Sequence, residues 1–476
     1  GSLSATRDQV GWVLTSYIVA AAIATPATGW LSGHFGRKHL LIASITGFTI
    51  ASILCATATG IGQMVVYRVL QGIFGAALVP ISQSSLLDSF PPEKHGAAMA
   101  MWGMGIMVGP ILGPPLGGWL TQDYSWHWVF LINVPLGILA LIGVMASMPA
   151  DEHRPSRFDV RGFVLIAIGI GALQLFLDRG NEQDWFSSSE IRVEMALAAL
   201  GLYLYFVHWR DKKRPFVDLA LLKDRNFGAA NLFIFIIGVV LFATLALLPP
   251  YLQNLMDYPV ITTGLLLAPR GVGTLISMIL VGRILERGID PRLPASIGIV
   301  LTTISLWMMS NWTSDVPMWP IINAGVVQGL GLGLVFVPVS TMAYATLPMD
   351  TRTEAAGIYS LVRNIGSSVG ISIVFTLATR YTQINHAEMA ARLSPYSVNP
   401  LPEGVHTLQG LAQLNALVTR EAATIGYLND FTLMTWMTLV TLPLLWLFRV
   451  PGSSRRRRQE HEADPTEPEP KLLPDH

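Results

Sequence analysis

Charge is what this chain has least of. Its 476 residues include 31 Lys or Arg and 31 Asp or Glu, 13% in all, against about 25% in an average soluble domain. No charged side chain occurs from Ala97 to Gln122. The two signs cancel, so there is no net positive field of the kind a nucleic-acid surface needs, and no nucleic-acid partner is expected. Cysteine is almost missing. Cys55 stands alone inside an apolar run, which excludes an intrachain disulfide. The sequence has no HExxH pair, no metal-spaced histidine cluster, no serine nucleophile elbow and no Walker loop. No metal, cofactor or enzymatic activity is therefore expected. The first residues, Gly-Ser-Leu-Ser-Ala-Thr-Arg-Asp, are polar, and the apolar run after them is too long for the core of a cleavable signal peptide.

What is plentiful is apolar length: 51% of the residues are hydrophobic. A helix of roughly 20 mostly apolar residues crosses a bilayer. Thirteen segments meet that requirement, at about 10–33, 40–60, 62–87, 97–120, 127–149, 160–178, 192–209, 227–252, 260–282, 293–311, 317–346, 355–379 and 428–449. The sixth and seventh are short. The expected fold class is an all-α polytopic membrane protein. Loops after the odd-numbered spans, with the C-terminal tail, carry most of the Lys and Arg, including Arg37, Lys38, Arg154, Arg157, Arg210, Lys212, Lys213, Arg214 and Arg455 to Arg458. The positive-inside rule then puts the C-terminus in the cytoplasm and the N-terminus outside. Residues 381–426 read as a long external loop, polar with apolar patches and helical in part. Residues 451–476 read as a disordered cytoplasmic tail whose arginines suit anionic lipid.

One segment is unusual even for a membrane helix. Glycines recur every fourth residue at Gly105, Gly109, Gly113 and Gly117, followed by Gly118, with Pro110, Pro114 and Pro115 among them. In water each Gly costs a helix about 1 kcal/mol and each Pro about 3. In lipid, neighbouring helices re-satisfy the backbone groups that Pro frees. Glycines four apart share one face and permit close backbone approach.

Several stretches together resemble the major facilitator superfamily. Gly29-Trp-Leu-Ser-Gly-His-Phe-Gly36-Arg37-Lys38 is similar to its loop signature between the second and third helices, except that Gly33 stands at the acidic position. Glu286, in Gly282-Arg283-Ile-Leu-Glu286-Arg287, takes that acidic place in the equivalent loop of the second half. Arg68-Val-Leu-Gln71-Gly72 resembles the fourth-helix motif, and the Gly-Pro ladder resembles the fifth-helix motif of the antiporters. Trp126-His-Trp-Val-Phe-Leu-Ile-Asn133-Val-Pro135 resembles a sixth-helix signature of drug–proton antiporters. The extra pair of spans at 160–178 and 192–209, with Leu177-Asp178-Arg179 between them, is similar to the fourteen-helix drug–proton antiporter branch.

The resemblance implies the major facilitator fold with a helix missing before Gly1, since thirteen spans leave the ends on opposite sides. It implies an N-terminal bundle over 1–150, two linker helices over 151–215, and a C-terminal bundle over 216–450 with an external loop at 381–426. It also implies proton-driven export of lipophilic compounds across a bacterial inner membrane. The alternative is a dedicated exporter of one metabolite class, such as a siderophore, fatty acid or antibiotic. The partners implied are lipophilic small molecules, protons and the lipid bilayer, with a periplasmic adaptor and an outer-membrane duct. The loop at 381–426 is a candidate contact for the adaptor.

The site candidates follow. A charge inside an apolar span is a functional candidate by default. Arg68 with Gln71, Arg270 and Arg363 are such candidates for gating or proton coupling, with a structural role in helix packing as the alternative for each arginine. Asp178 is the candidate acid, or else a helix-end cap with Arg179. The glycines and prolines from Gly105 to Gly118 are the hinge candidates, and Gly29, Gly36, Arg37 and Lys38 the cytoplasmic gate. Trp12, Thr15, Tyr17, Met104, Met107, Asn133, Phe233 and Phe242 are the candidate cavity walls: aromatics that stack, polar groups at membrane depth, and methionines that repack around varied ligands.

Overall fold

The computed structural model describes residues 7–149, 157–212, 215–393 and 407–449. The expected tail at 451–476, with Arg154, Lys213 and Arg214, lies outside them. The described chain is helical and contains no strand. Twelve helices are long and apolar enough to cross a membrane. The uncharged helix His95–Trp119 makes a thirteenth. In chain order they are α1 (Gly11–Phe35), α2 (Arg37–Ala56), α3 (Ile61–Ser89), α4 (His95–Trp119), α5 (His127–Ser147), α6 (Val160–Arg179) and α7 (Ser189–Asp211). The second half holds α8 (Arg225–Leu255), α9 (Val260–Glu286), α10 (Arg292–Ser310), α11 (Met318–Tyr344), α12 (Met349–Arg392) and α13 (Leu408–Leu447).

The ends are set by local chemistry. Asp159 caps α6 by accepting from the Gly162 amide, and Asp224 caps α8 by accepting from the Phe227 amide at 2.8 Å. Gly36 turns α1 into α2 at φ 81°, a left-handed conformation that glycine adopts without strain. α4 stays helical through Pro110, Pro114 and Pro115.

α1 packs on α3, α3 on α2, and α2 on α5. In the second half, α9 and α10 pack on α11, α8 packs on α12, and α13 packs on α10 and α12. The halves meet where α4 lies along α9 and where α1 and α3 meet α12. The pair α6–α7 leans on α1 and α12.

Two expectations change here. The stretch 381–426 is helical over most of its length: α12 continues to Arg392 and α13 begins at Leu408. Residues 381–393 contain neither Gly nor Pro, so nothing stops the helix when it leaves the apolar zone. At 41 residues, the regular helix Arg352–Arg392 is about 60 Å long, twice a hydrocarbon core. The Gly-Pro ladder is the second. A methyl group added at Gly105, Gly109, Gly113 or Gly117 would meet nothing within 4 Å, whereas Gly96, Gly103 and Gly118 lie against Leu285, Met278 and Val260 of α9. The face that joins the halves is thus the other side of α4.

Candidate functional site

A cavity of about 610 Å³ lies between the two halves. α1 supplies Leu14, Tyr17, Ile18, Ala21 and Thr25, α3 supplies Gly75, Ala76 and Val79, and α8 supplies Phe242. The end of α6 and the turn after it add Leu177, Asp178, Asn181 and Glu182. α12 presents one face to it, from Ser360 through Arg363, Asn364, Ser367 and Ser368 to Ser372 and Phe375. That spacing of three and four is one helical stripe. The stripe is polar on α12 and the facing wall on α1 is mostly apolar, which suits an amphipathic occupant.

Asp178, Glu182 and Arg363 face this space, with the Tyr17 hydroxyl. The Thr15 hydroxyl donates to Asp178. Arg179 pairs instead with Glu190 and lies over the Trp12 ring at 4.7 Å. The Arg363 Nε and the hydroxyls of Ser360 and Ser372 are buried without a hydrogen-bond partner among the described residues. Buried donors without partners cost about 1–3 kcal/mol each, and a ligand that accepts hydrogen bonds removes that cost.

One end of the cavity is shut. Asp88, at the end of α3, binds Arg37 Nη1 at 2.5 Å and Arg352 Nη1 at 2.7 Å. Arg352 belongs to α12, so the carboxylate ties the halves together. Beside it the Tyr344 hydroxyl donates to Gln83 at 3.1 Å, and the Thr353 hydroxyl donates to Ser84 at 3.3 Å. Gly29 lets the Glu354 backbone approach: a Cβ there would stand 3.1 Å from its Cα. Lys38 binds the carbonyls of Met145 and Met148, which anchors the turn to α5. The carboxylate missing at Gly33 therefore comes from a different helix. Glu286 is exposed.

The remaining candidates lie elsewhere. Arg68 binds Val13 O at 2.9 Å and Gln71 Oε1 at 2.6 Å, and stacks on Tyr17 at 4.3 Å. Gln71 passes the link on to Ser52 of α2. Arg68 thereby joins α1, α2 and α3 and touches the cavity only through Tyr17. Arg270 is 5% exposed and donates to Leu241 O at 3.4 Å. It shares a void of about 50 Å³ with Met107. Phe233 packs on Phe448 and lines a void of about 20 Å³. Trp12, Met104 and Asn133 do not line the large cavity. Of the candidates, Tyr17, Asp178, Phe242 and Arg363 do line it, with Thr15 behind Asp178. Asp88 and Arg352 escaped the sequence reading, since each looks like an ordinary loop-end charge until folding brings them together.

Among the described residues, thirteen apolar helices around a cavity closed at one end by ion pairs fit a membrane carrier. Residues 1–371 match the Major Facilitator Superfamily, and the chain belongs to that family. It is 34% identical to the fatty acid resistance protein FarB of Neisseria gonorrhoeae, over 95% of this chain and 91% of that one. It is 32% identical to the multidrug export protein EmrB of Escherichia coli, over 95% and 90%. It is 30% identical to the probable multidrug resistance protein EmrY of Escherichia coli, over 96% and 91%. The human organic anion transporter MFSD10 has the same fold, with a TM-score of 0.57 at 13% identity over 91% of this chain and 86% of that one.

Proposed function

We propose that this protein exports lipophilic compounds from the cell in exchange for protons. The observation that carries the reading is the cavity between the halves, closed at one end by an ion-pair cluster that crosses between them. Multidrug export proteins among its relatives support the substrate class. Lys and Arg gather on the Gly-Arg-Lys side of the membrane, which supports a cytoplasmic gate and a cytoplasmic C-terminus. The conformation described is then closed to the cytoplasm. Rocking of the halves about the cavity opens that gate to load substrate from the cytoplasm, and return to the closed form releases it outside. Arg68 braces the N-terminal helices. Asp178 and Glu182 offer the cavity two carboxyls, and Arg363 a cation. The ladder on α4 leaves a smooth face on which that helix slides or bends.

The test is uptake by proteoliposomes under an imposed pH gradient. Gradient-dependent transport of several unrelated lipophilic compounds is expected. Transport that ignores the gradient, or that runs on ATP, overturns the antiport reading.

A second reading, a dedicated exporter of one lipophilic acid, draws on the likeness to FarB and on the unpartnered Arg363 facing the cavity. Resistance confined to fatty acids in a broad sensitivity screen would favour it. The helical extensions 381–392 and 408–426 are the surface we assign to a periplasmic adaptor. Unchanged adaptor capture after their shortening would remove that assignment.

A further inference from the structure

A carboxyl in the C-terminal half has no part in the cavity or the gate. Asp430 of α13 is completely inaccessible, and neither of its oxygens has a hydrogen-bond partner among the described residues. Its depth can be judged from Arg420, which binds the Leu255 and Ser314 carbonyls and Asp315 at the level of the loops. Asp430 lies ten residues further along the helix, about 15 Å. The packing around that level is apolar and aromatic: Phe431 and Met434 of α13 join Leu247 and Tyr251 of α8 and Val374 of α12.

Helical spacing relates Asp430 to the transport path. Gly426, one turn earlier, sits against the Ala378 carbonyl of α12. Asp430 occupies the same face one turn nearer the gate, at the level of Val374. Ser372 and Phe375 of that same turn of α12 line the cavity, and the Ser372 hydroxyl is also unpartnered. A single helix therefore separates this carboxyl from the cavity. The ionisable groups on the surrounding elements are few. Within about three turns they are Tyr427, Glu421 and Arg420 on α13, Tyr251 on α8, and Arg363 toward the gate with Arg380 and Tyr381 on the loop side of α12. α10 offers only Arg292, at its first residue. No cation pairs with Asp430 among the described residues.

A charged carboxylate with no donor and no counter-charge in such a site costs several kcal/mol. A polar residue kept there at that cost is a functional candidate. We propose that Asp430 is a proton-carrying site: in this conformation it holds a proton, and it releases it when α13 parts from α12 far enough to admit water. The carboxyl O–H bond breaks and a new O–H bond forms on that water, which carries the proton away as hydronium. Linking this step to export rests on the antiport reading above. Occupancy of the site does not.

The experiment compares full-length wild type with Asp430→Asn. The infrared difference spectrum at neutral pH should show a protonated carboxyl C=O band that the variant lacks. Carboxylate bands in its place overturn the proposal. In proteoliposomes, Asp430→Asn should lose gradient-driven uptake and keep downhill exchange. Wild-type uptake under the gradient in that variant overturns the coupling role. If wild type itself ignores the gradient, the antiport reading fails and the infrared result still decides whether Asp430 holds a proton. Should Asp430→Asn not fold, Asp430→Glu replaces it. A shifted protonated band then supports the site, and carboxylate bands overturn it.

Discussion

Asp159 shows how much one side chain at a helix end can hold. It is almost buried. It accepts from His208 Nε2 at 2.8 Å and from the Gly162 amide at 3.3 Å, with Lys212 at 3.6 Å. Burial opposes its ionisation, but the hydrogen bonds from His208 and Gly162 and the charges of His208 and Lys212 outweigh it, so the carboxyl sits below its usual range. A depressed folded-state value means stability that is present above the unfolded value of about 4 and lost as pH falls through the folded one. Asn serves as a cap almost as well as Asp, whereas Ala costs about 1 kcal/mol. Asp159→Asn should therefore lower the thermal midpoint in detergent at pH 7, and Asp159→Ala should lower it further. The gap between wild type and Asn should close in acid as the wild-type carboxyl is protonated. An equal gap at both pH values would mean that the charge contributes nothing. Single residues were also where the sequence was hardest to read. Arg68 announced itself, because a charge inside an apolar run has to be explained. Asp88 and Asp430 did not: each lies near the end of a span, where an acid looks like a loop charge. Their surroundings come from other helices, 264 residues away in the case of Arg352 and Asp88, and no spacing in the sequence encodes that.

At the scale of elements the sequence was far more legible. An apolar run bounded by polar loops is a local property, and each of the thirteen runs became a helix of about the expected extent. The exceptions share a physical cause. Residues 381–392 and 408–426 are helical but intersperse polar and charged side chains among the apolar ones, so apolar length cannot detect them. The glycine ladder was legible as a smooth face but not as to what it faces. Helix-to-helix contact depends instead on other glycines. Gly329 of α11 brings its backbone against the Arg270 carbonyl, and Gly273 of α9 would place a Cβ 2.7 Å from the Val326 carbonyl. Backbone atoms cannot step aside as a flexible side chain does. Gly329→Ala and Gly273→Ala should therefore separate α9 from α11, seen as loss of monodisperse folded protein after extraction. Gly105→Ala should fold as wild type, since its methyl meets only open space. Normal folding of both interface variants would mean that the α9–α11 contact yields easily.

For the whole molecule the question is what holds one end of the cavity shut. Asp88 is the only carboxylate that binds both Arg37 and Arg352, and only its bond to Arg352 crosses between the halves among the described ion pairs. A hydrogen bond to a charged group contributes about 1.5–3 kcal/mol when it is shielded as this one is. Loss of about 2 kcal/mol from the closed state changes the open-to-closed ratio roughly 30-fold. Arg352→Ala removes that bond and leaves Arg37 to hold Asp88, so the N-terminal half keeps its own ion pair. The Tyr344–Gln83 and Thr353–Ser84 hydrogen bonds remain, and the gate should loosen rather than collapse. Thr25 lies buried at the inner floor of the cavity. A Thr25→Cys probe in a Cys55→Ser background reports on the opening from the gate side. A membrane-impermeant thiol reagent added on that side should label it about 30-fold faster once Arg352 is removed, in line with the population shift. Reagent added on the opposite side should label it no faster, because any gain of one conformation is a loss of the other. If Arg352→Ala left both rates unchanged, the closed end would owe its stability to apolar packing between α1, α3 and α12, and the charge cluster would be a consequence of closure rather than its cause.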